Sequence, residues 1–428
     1  MPVDISMTSY CLGDIVSLSQ GLAINVKTKH LLVDDGLPLL RITDLINSAY
    51  SQYVNPIEVP TKCIAAKDDI IYTRTGQVGL VFRGVSGVVH NNCFKVIPNH
   101  DLIDSNYLYW FLSQNYIKEH ANNIAAGSVQ KDLNHSAFKS IQIDLPPLDV
   151  QKKIASILDS ISNKIDLNRQ MNETLEDMAR AIFKSWFVDF DPVRAKAEGR
   201  DTGLPKEVAD LFPDSFEETE LGEVPKGWRI GTLENYAYLN PETWSKDGAP
   251  QYIKYVDLAN TKWGTIDSIS TYLWKEAPSR AQRILRSGDT IIGTVRPGNG
   301  SYSIISENGL TGSTGFAVLR PKKEVFVQVV YLAATSMDNI ESLAHLADGG
   351  AYPAIRPDVV LATPVVYANI FVLEHFAKIT KAIVDKIEEN KRESRTLAEL
   401  RDTLLPKLIS GELRIKDAEQ IIGDMPDE

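Results

Sequence analysis

The sequence predicts an α+β protein made of two tandem copies of one module, each a mixed body followed by a long helix. Three observations support this fold class. The chain resembles itself at a period of about 222 residues. Short β-rich runs alternate with helical stretches in both copies. Each copy then ends in apolar residues spaced alternately by three and four, the pattern of a coiled-coil seam.

The repeat is clearest in the helical segments, where Asn163–Phe183 matches Asp385–Leu405 without a gap. Within this match Asn168 pairs with Asn390. Two shorter matches lie upstream, 39–45 with 252–258 and 67–76 with 288–298. The offset drifts between these matches, as loop insertions within a shared fold would cause. At 428 residues the chain is also too long for one compact core.

Both helical seams carry an asparagine at the same place. The seam residues are Leu158, Ile161, Ile165, Asn168, Leu175 and Ile182 in the first copy, and Ile383, Ile387, Asn390, Leu397 and Leu404 in the second. For one isolated seam, a helix packed on its own domain or a homodimeric coil is an equal alternative. Two matched seams favour an intramolecular antiparallel coiled coil with pseudo-twofold symmetry, in which the paired amides fix the register. Such a coiled coil, on the order of 50 Å long, would separate the two bodies.

The composition is that of an ordinary globular protein, with 43% apolar and 24% charged residues. No stretch approaches the apolar length of a membrane helix, and the N-terminus lacks the features of a signal peptide, so we expect a cytoplasmic protein. The three cysteines, Cys11, Cys63 and Cys93, show no metal-binding or disulfide spacing. These features exclude disordered, fibrous and disulfide-scaffold classes.

The net charge of −11 argues at first against nucleic acid. Most of this charge is local, however. The segment 189–220 has ten acidic and four basic residues, and the segment 412–428 has six acidic and two basic residues. The remaining bodies are nearly neutral, so they can carry local basic patches.

Four segments resemble the DNA specificity subunit of type I restriction–modification enzymes, and the resemblance covers essentially the whole chain. They are Asp144–Ile165, Met178–Gly199, Glu220–Leu233 and Leu397–Ile415. The second and fourth are long and specific, with FKSWFVDFDP leaving one helix and LLPKLISGEL closing the other. Thr363–Ile379 departs from the family, which usually repeats Pro-Pro-Leu and a glutamine before the second helix.

The resemblance implies a bipartite DNA reader with no catalysis of its own. We expect target-recognition domains at 1–148 and 221–372, long helices at 149–190 and 373–411, an acidic linker at 191–220 and an acidic C-terminal tail at 412–428. Each domain would read one half of a split target in double-stranded DNA, and the helices would set the spacer and dock two methyltransferase subunits. Motor-nuclease subunits would complete the complex. S-adenosylmethionine, ATP and magnesium would belong to those partners, and this chain would bind no cofactor or metal.

Major-groove reading requires arginine for guanine, and asparagine or glutamine for adenine, on exposed loops. Two segments in each copy offer such groups. They are Thr73, Arg74, Gly76, Gln77, Ser128, Gln130 and Lys131 in the first copy, and Thr294, Arg296, Gly298, Asn299, Ser301, Tyr352 and Arg356 in the second. Lys131 and Arg356 fit phosphate contacts better than base contacts. The alternative is a set of ordinary turns with solvated polar residues, in which Ser128 and Asn299 cap the turns.

Catalytic signatures are missing from the sequence. Asn240–Thr243 and Asp191–Arg194 lack the second proline and the aromatic residue of an adenine methyltransferase motif. There is no nucleotide-binding glycine loop and no metal-type histidine spacing. Two rival hypotheses remain open. One is a coiled-coil scaffold that binds other proteins, and the other is an orphan or antagonist subunit without productive DNA reading.

Overall fold

The computed structural model describes residues 6–128, 130–219, 222–245, 248–348, 350 and 352–423. The chain divides into two compact units, Met1–Leu167 with Glu393–Glu428, and Asn168–Arg392. Each unit therefore combines one body with parts of both long helices. None of the helices in the described ranges has the length and apolar character that a bilayer crossing requires.

Within residues 6–128 and 130–147, the body of the first unit contains eleven short strands and five short α-helices. The strands are β1 (Thr8–Cys11), β2 (Val16–Gln20), β3 (Leu32–Val33), β4 (Leu37–Leu40), β5 (Tyr53–Val54), β6 (Ile64–Ala65), β7 (Ile70–Thr73), β8 (Val81–Phe82), β9 (Gly87–Val89), β10 (Cys93–Pro98) and β11 (Gln142–Leu145). The helices are α1 (Leu12–Ile15), α2 (Ile42–Asn47), α3 (Ser105–Ser113), α4 (Asn115–Ile124) and α5 (His135–Lys139).

Two long helices follow the bodies, α6 (Leu148–Phe187) and α12 (Ile370–Ile409). The other elements after α6 are α7 (Asp191–Ala197), α8 (Lys206–Ala209), β12 (Phe216–Thr219), β13 (Gly222–Pro225), β14 (Arg229–Thr232), β15 (Ala237–Leu239), β16 (Tyr252–Val256), β17 (Thr261–Lys262), β18 (Thr265–Ile266), β19 (Ser270–Leu273), β20 (Ala281–Leu285), β21 (Thr290–Gly293), β22 (Tyr302–Ile304), β23 (Leu310–Ser313), β24 (Phe316–Pro321), α9 (Val327–Ala334), α10 (Met337–His345), α11 (Pro357–Leu361), β25 (Pro364–Tyr367) and α13 (Ile415–Gly423).

The two bodies share a sheet topology, as the internal repeat predicts, except that the second sheet of the first body has one additional strand, β3. The first has sheets with the orders β2-β10-β7-β8 and β3-β5-β4-β9-β6. The second has the orders β15-β24-β21-β22 and β19-β16-β23-β20. In both bodies the second sheet contains a parallel pair, β4 with β9 and β16 with β23. The terminal pairs β1–β11 and β14–β25 also match and lead directly into the long helices.

Local sequence explains several of these elements. Helix α3 begins after Asp104, whose carboxylate accepts hydrogen bonds from the backbone N–H groups of Asn106 and Tyr107. Helix α5 begins after Asn134 in the same manner. Strands β7 and β10 are almost fully buried and pack Tyr72 and Phe94 against the helical layer. Their long apolar runs are typical of central strands with both faces covered.

Halves of the two long helices pack together in each unit. In the first unit Leu158 and Ile161 share a core with Leu397 and Leu404. In the second unit the shared core contains Ala179 and Trp186 from α6 and Ile383 and Ile387 from α12. Because the early part of one helix meets the late part of the other in both units, the pairing is antiparallel, as predicted.

The segment interpreted as an acidic linker is folded into the second unit. Val193 and Phe212 are fully buried, and the indole of Trp186 lies edge-on to Phe212 with ring centroids 5.0 Å apart. Lys196 Nζ donates to the carbonyl oxygens of Ala209 and Phe212 at 3.0 and 2.5 Å. The acidic residues lie mainly on the outer face of this segment, so the charge count concealed its apolar residues.

The acidic C-terminal segment likewise contains the helix α13. Its Ala418 is fully buried in the core of the first unit, and Leu413 and Ile415 pack against that core. Residues 424–428 of the predicted tail lie outside the described residues.

Candidate nucleic-acid interface

The two predicted segments of the first body meet at the end of strand β7. The backbone N–H of Gly76 donates to the carbonyl of Lys131, and the N–H of Leu133 donates to the carbonyl of Arg74, both at 2.9 Å. Thr75 also forms a β-bridge with Asp132. Residues more than fifty positions apart thus form one continuous loop surface.

The second of these segments is a closed loop from Ala126 to Asp132. The backbone groups of these two residues exchange hydrogen bonds of 3.0 and 2.8 Å. Gly127 has a φ of +99°, and a Cβ there would lie 2.3 Å from the carbonyl oxygen of Gln130. Only glycine fits this turn, because any other residue would adopt a strained φ and its Cβ would clash with the Gln130 carbonyl. Ser128 and Gln130 are exposed beyond it, whereas Val129 lies outside the described residues.

A salt bridge joins the two segments. Arg74 donates from Nε and Nη2 to the carboxylate of Asp132 at 3.2 and 2.6 Å, and from Nη1 to Gln20 Oε1 at 3.0 Å. Thr75 Oγ1 donates to the same carboxylate at 2.6 Å. The hydrogen bonds from Arg74 and Thr75 lower the pKa of Asp132, so the carboxylate is ionised at neutral pH.

Thr73 does not belong to the exposed surface, and its predicted contact with DNA stays a prediction. Its side chain is fully buried, its Oγ1 donates to the carbonyl of Gln77 at 2.5 Å, and it accepts from the N–H of Leu80 at 2.9 Å. Thr73 therefore closes the loop 74–79. Gly76 and Gln77 are exposed on that loop, and their predicted DNA contacts stay predictions.

The second body forms the same pair of loops. The N–H of Arg296 donates to the carbonyl of Pro353 at 2.7 Å, and the N–H of Ile355 donates to the carbonyl of Thr294 at 2.9 Å. Asp348 and Ala354 close the second loop as Ala126 and Asp132 do in the first body. Gly349 and Ala351 of this loop lie outside the described residues.

These bonds define which residues correspond between the bodies. Thr294 takes the place of Arg74, and Arg296 takes the place of Gly76. Tyr352 corresponds to Gln130. The sequence matched the two loops correctly but did not reveal that their arginines stand at different places.

Arg356 and Lys131, the two predicted phosphate contacts, stand at different places in their bodies. Arg356 stands directly before α11, where the first body has Asn134 directly before α5. Its guanidinium is highly exposed and bridges to Asp358 at 2.9 Å. Lys131 Nζ instead donates to the carbonyl of Asn122 at 2.7 Å. Both cations remain candidates for phosphate contacts.

Arg296 adopts a left-handed backbone with a φ of +48° directly before Pro297. This conformation is costly for a residue with a side chain, and the following proline disfavours it further. The Arg296 guanidinium lies 4.9 Å from the ring centroid of Tyr352, whose side chain is 72% exposed. Strained residues of this kind concentrate at binding sites. The pair is therefore a candidate for binding on the second loop surface.

The remaining predicted residues of the second body divide into two groups. Gly298 and Asn299 are exposed in a short 3-10 turn, Pro297–Asn299. Thr294 and Ser301 are buried, and their predicted contacts with DNA stay predictions. Thr294 Oγ1 donates to the carbonyl of Gly315 at 2.9 Å, and Ser301 Oγ donates to the carbonyl of Leu258 at 3.3 Å. Both hydroxyls fasten the loop to the sheet.

The predicted seam residues lie on the packed faces of the long helices. Leu158, Ile161, Asn168, Ile383, Ile387, Asn390, Leu397 and Leu404 are buried, and Ile165, Leu175 and Ile182 pack against the cores while partly exposed. Asn168 Nδ2 donates to the backbone carbonyl of Asn390 at 3.5 Å. Asn390 Nδ2 donates to Asn172 Oδ1 at 2.8 Å. The two asparagines thus meet, although the side-chain amide bond of Asn390 goes to a third asparagine.

Sequence reasoning missed Asp132 and Gln20. Neither belongs to a motif, and they lie 58 and 54 positions from Arg74. The only local signal was the position of Asp132 directly after the predicted segment 127–131. In the described ranges, no group of His, Cys, Asp and Glu residues is arranged to hold a metal ion.

The comparisons with known proteins confirm the predicted class, the DNA specificity subunits of type I restriction–modification systems. Residues 5–177 match the family described as the type I restriction modification DNA specificity domain. The chain is therefore a relative of these subunits, with a matched domain in its first part and similarity along nearly its full length.

Two specificity subunits illustrate this similarity. The type I restriction enzyme HindI specificity subunit of Haemophilus influenzae is 26% identical, over 94% of this chain and 99% of that protein. The MjaIX specificity subunit of Methanocaldococcus jannaschii is 23% identical, over 95% and 93%. The crystal structure of the type I restriction–modification S subunit from M. genitalium shares the fold, with a TM-score of 0.57, 16% identity, and coverage of 95% of this chain and 96% of that one.

Proposed function

We propose that this chain is the sequence-reading subunit of a type I restriction–modification enzyme, and that each body recognises one half of a split DNA target. The repeated loop pair carries this proposal. Two bodies of the same topology join the same two segments at the end of the same strand, β7 in one and β21 in the other. Their side chains differ, as two readers of different half-sites require.

The proposal assigns the chemistry to partner proteins. Two methyltransferase subunits would dock on the helices and their flanks, bind S-adenosylmethionine and modify adenine. Motor-nuclease subunits would use ATP and magnesium to cleave DNA. In support, the short Asn240–Thr243 sequence serves a structural network: Glu242 accepts hydrogen bonds from Arg286 at 2.5 and 2.7 Å and also pairs with Arg320. Because the target is DNA, we keep the cytoplasm as the proposed location.

The decisive experiment expresses this chain with a methyltransferase subunit encoded beside it, in a host without DNA methylation. Single-molecule sequencing then maps the modified adenines. A split motif with a fixed spacer is the expected result. A stable complex that modifies nothing would indicate an antagonist subunit. Failure to form any complex would favour the protein-binding scaffold.

A further inference from the structure

The salt bridge between Arg74 and Asp132 holds the arginine in one orientation. A guanidinium has five N–H groups in a rigid planar fork. Asp132 accepts from Nε and Nη2, and Gln20 accepts from Nη1. One N–H therefore remains on each terminal nitrogen, Nη1 and Nη2. Three of the donors are anchored, so the direction of the other two is fixed before any ligand arrives.

This arrangement remains accessible from outside the protein. The side chain of Arg74 is 21% exposed and that of Asp132 is 41% exposed. The two joined loops also carry the exposed residues Gln77 and Gln130, one on each loop. The charge of Asp132 is neutralised by Arg74, so the pair adds little electrostatic repulsion against a DNA surface.

We propose that Arg74 reads a guanine in the half-site of the first body, and that Asp132 is the positioning residue that aims it. Guanine presents two acceptors in the major groove, O6 and N7, which match a pair of donors on one guanidinium. A preoriented fork loses little side-chain entropy on binding and rejects bases whose acceptors and donors are arranged differently. This inference rests on the proposed function and names the base that one loop surface selects.

The second body lacks this device. Thr294 and Ala354 occupy the places of Arg74 and Asp132, and neither can form a charged pair. The inference therefore applies to one half-site only, and the other half-site serves as an internal reference in every measurement.

The test uses the complex of this chain with its methyltransferase subunit and a set of targets in which each half-site position carries each of the four bases. Initial methylation rates give the preference for guanine at each position. We expect Asp132→Ala to lower the guanine preference about tenfold at a single position of one half-site, within the range for one bidentate contact. Arg74→Ala should abolish the preference at that same position. The other half-site should keep its preferences in both variants.

Asp358→Ala is the matched control. It removes the carboxylate of another arginine–aspartate pair, the exposed bridge from Arg356 at 2.9 Å in the second body. Its loss should leave the guanine preference of the first half-site unchanged. Asp132→Asn is nearly isosteric and should act like Asp132→Ala, since its amide places a donor against the arginine. If Asp132→Ala does not fold, Thr75→Val replaces it in the test. This variant removes one hydrogen bond to Asp132 and should lower the guanine preference in the same way but more weakly.

Three results would overturn the inference. The first is a wild-type half-site with no guanine preference, and the second is an unchanged guanine preference in the folded Asp132 variants. The third is an equal loss of base preference at all positions of that half-site in the Asp132 variants, together with a lower unfolding temperature. A salt bridge with a purely structural role would act in that way. Failure of the proposed function would look different, since the wild-type complex would then modify no DNA or modify it without sequence preference.

Discussion

At the scale of single residues, the buried amides between the long helices have a defined role. Asn168 and Asn390 are almost fully buried, and their hydrogen bonds run between α6 and α12. Burying an amide is unfavourable unless it finds a partner. A shift of one helix along the other would place these amides against leucine or isoleucine. The asparagines therefore favour a single register, at some cost in stability relative to well-packed apolar residues at the same places.

Replacing Asn390 tests this role. We expect Asn390→Ala to lower the free energy of unfolding by ~1–3 kcal/mol, because the carboxamide oxygen of Asn172 loses its donor in a partly buried place. Chemical denaturation followed by circular dichroism measures this change. Lys378→Ala, an exposed change on the same helix, should stay within about 0.5 kcal/mol of the wild type. Equal effects in the two variants would contradict the assigned role.

Glu176 gives the second unit a pH-dependent stability. It is half-buried on α6, and burial raises its pKa, although Lys391 and Arg180 act in the opposite direction. A carboxyl group whose pKa is raised by folding contributes stability that is fully present below its ordinary pKa. This contribution is lost as the pH rises through the raised value.

Glu176→Gln removes the titration, because glutamine is neutral at every pH. We expect this variant to unfold at a higher temperature than the wild type at pH 8, by on the order of 2 °C. The difference should shrink as the pH falls through the raised pKa of Glu176, and it should vanish below about 4.3, the ordinary pKa of glutamate. Differential scanning calorimetry at several pH values measures it. Asp385→Asn, which removes an exposed carboxylate from α12 in the same unit, is the control. A pH-independent difference between Glu176→Gln and the wild type would contradict the prediction.

At the scale of elements, the two exits from the bodies into the long helices are alike despite different sequences. In the first, Gln151 is buried and donates to the carbonyls of Leu102 and Pro146 at 3.1 and 2.8 Å. In the second, Leu373 stands at the matching place and is buried among apolar residues. The departure of Thr363–Ile379 from the family pattern therefore exchanges a polar anchor for an apolar one, while the strand-to-helix connection stays the same.

The segment 191–220 illustrates a limit of charge counting. Its acidic residues predicted a linker, yet Val193 and Phe212 anchor it to the second unit. A few well-packed apolar side chains can order a segment whose average composition is strongly polar, because each buried aromatic ring contributes about 1.5–3 kcal/mol.

At the scale of the whole molecule, the proposed function makes the long helices the element that sets the spacer between half-sites. One additional heptad in both α6 and α12 keeps the seam in register and lengthens each helix by about 10 Å. We expect the spacer to grow by roughly three base pairs, at ~3.4 Å each, while both half-site sequences stay the same. Methylation mapping of the expanded protein measures both quantities.

A three-residue insertion in both helices is the control for this prediction. It breaks the 3.5-residue repeat of the seam, so we expect lower stability and loss of modification instead of a new spacer. Altered half-site sequences with an unchanged spacer in the heptad variant would refute the role of the helices in spacing.

The sequence by itself determined the duplicated plan, the antiparallel helix pair and the class of protein. These properties depend on local periodicity and on long motif segments, which a single chain displays directly. It also located the loop pairs, since Arg74 and Arg296 stand in segments that follow equivalent strands. The loops could be found because strand ends and glycine-rich turns have local signatures.

Only the tertiary structure decided how those loops are used. It joined Arg74 to Asp132 and Gln20, buried Thr73, and placed Arg296 where the first body has Gly76. These contacts depend on the register of strands and loops far apart in the chain, and a shift of one residue reverses which side chains face outward. Periodicity carries no information on such pairings, so the identity of the reading residues emerges only when distant segments meet.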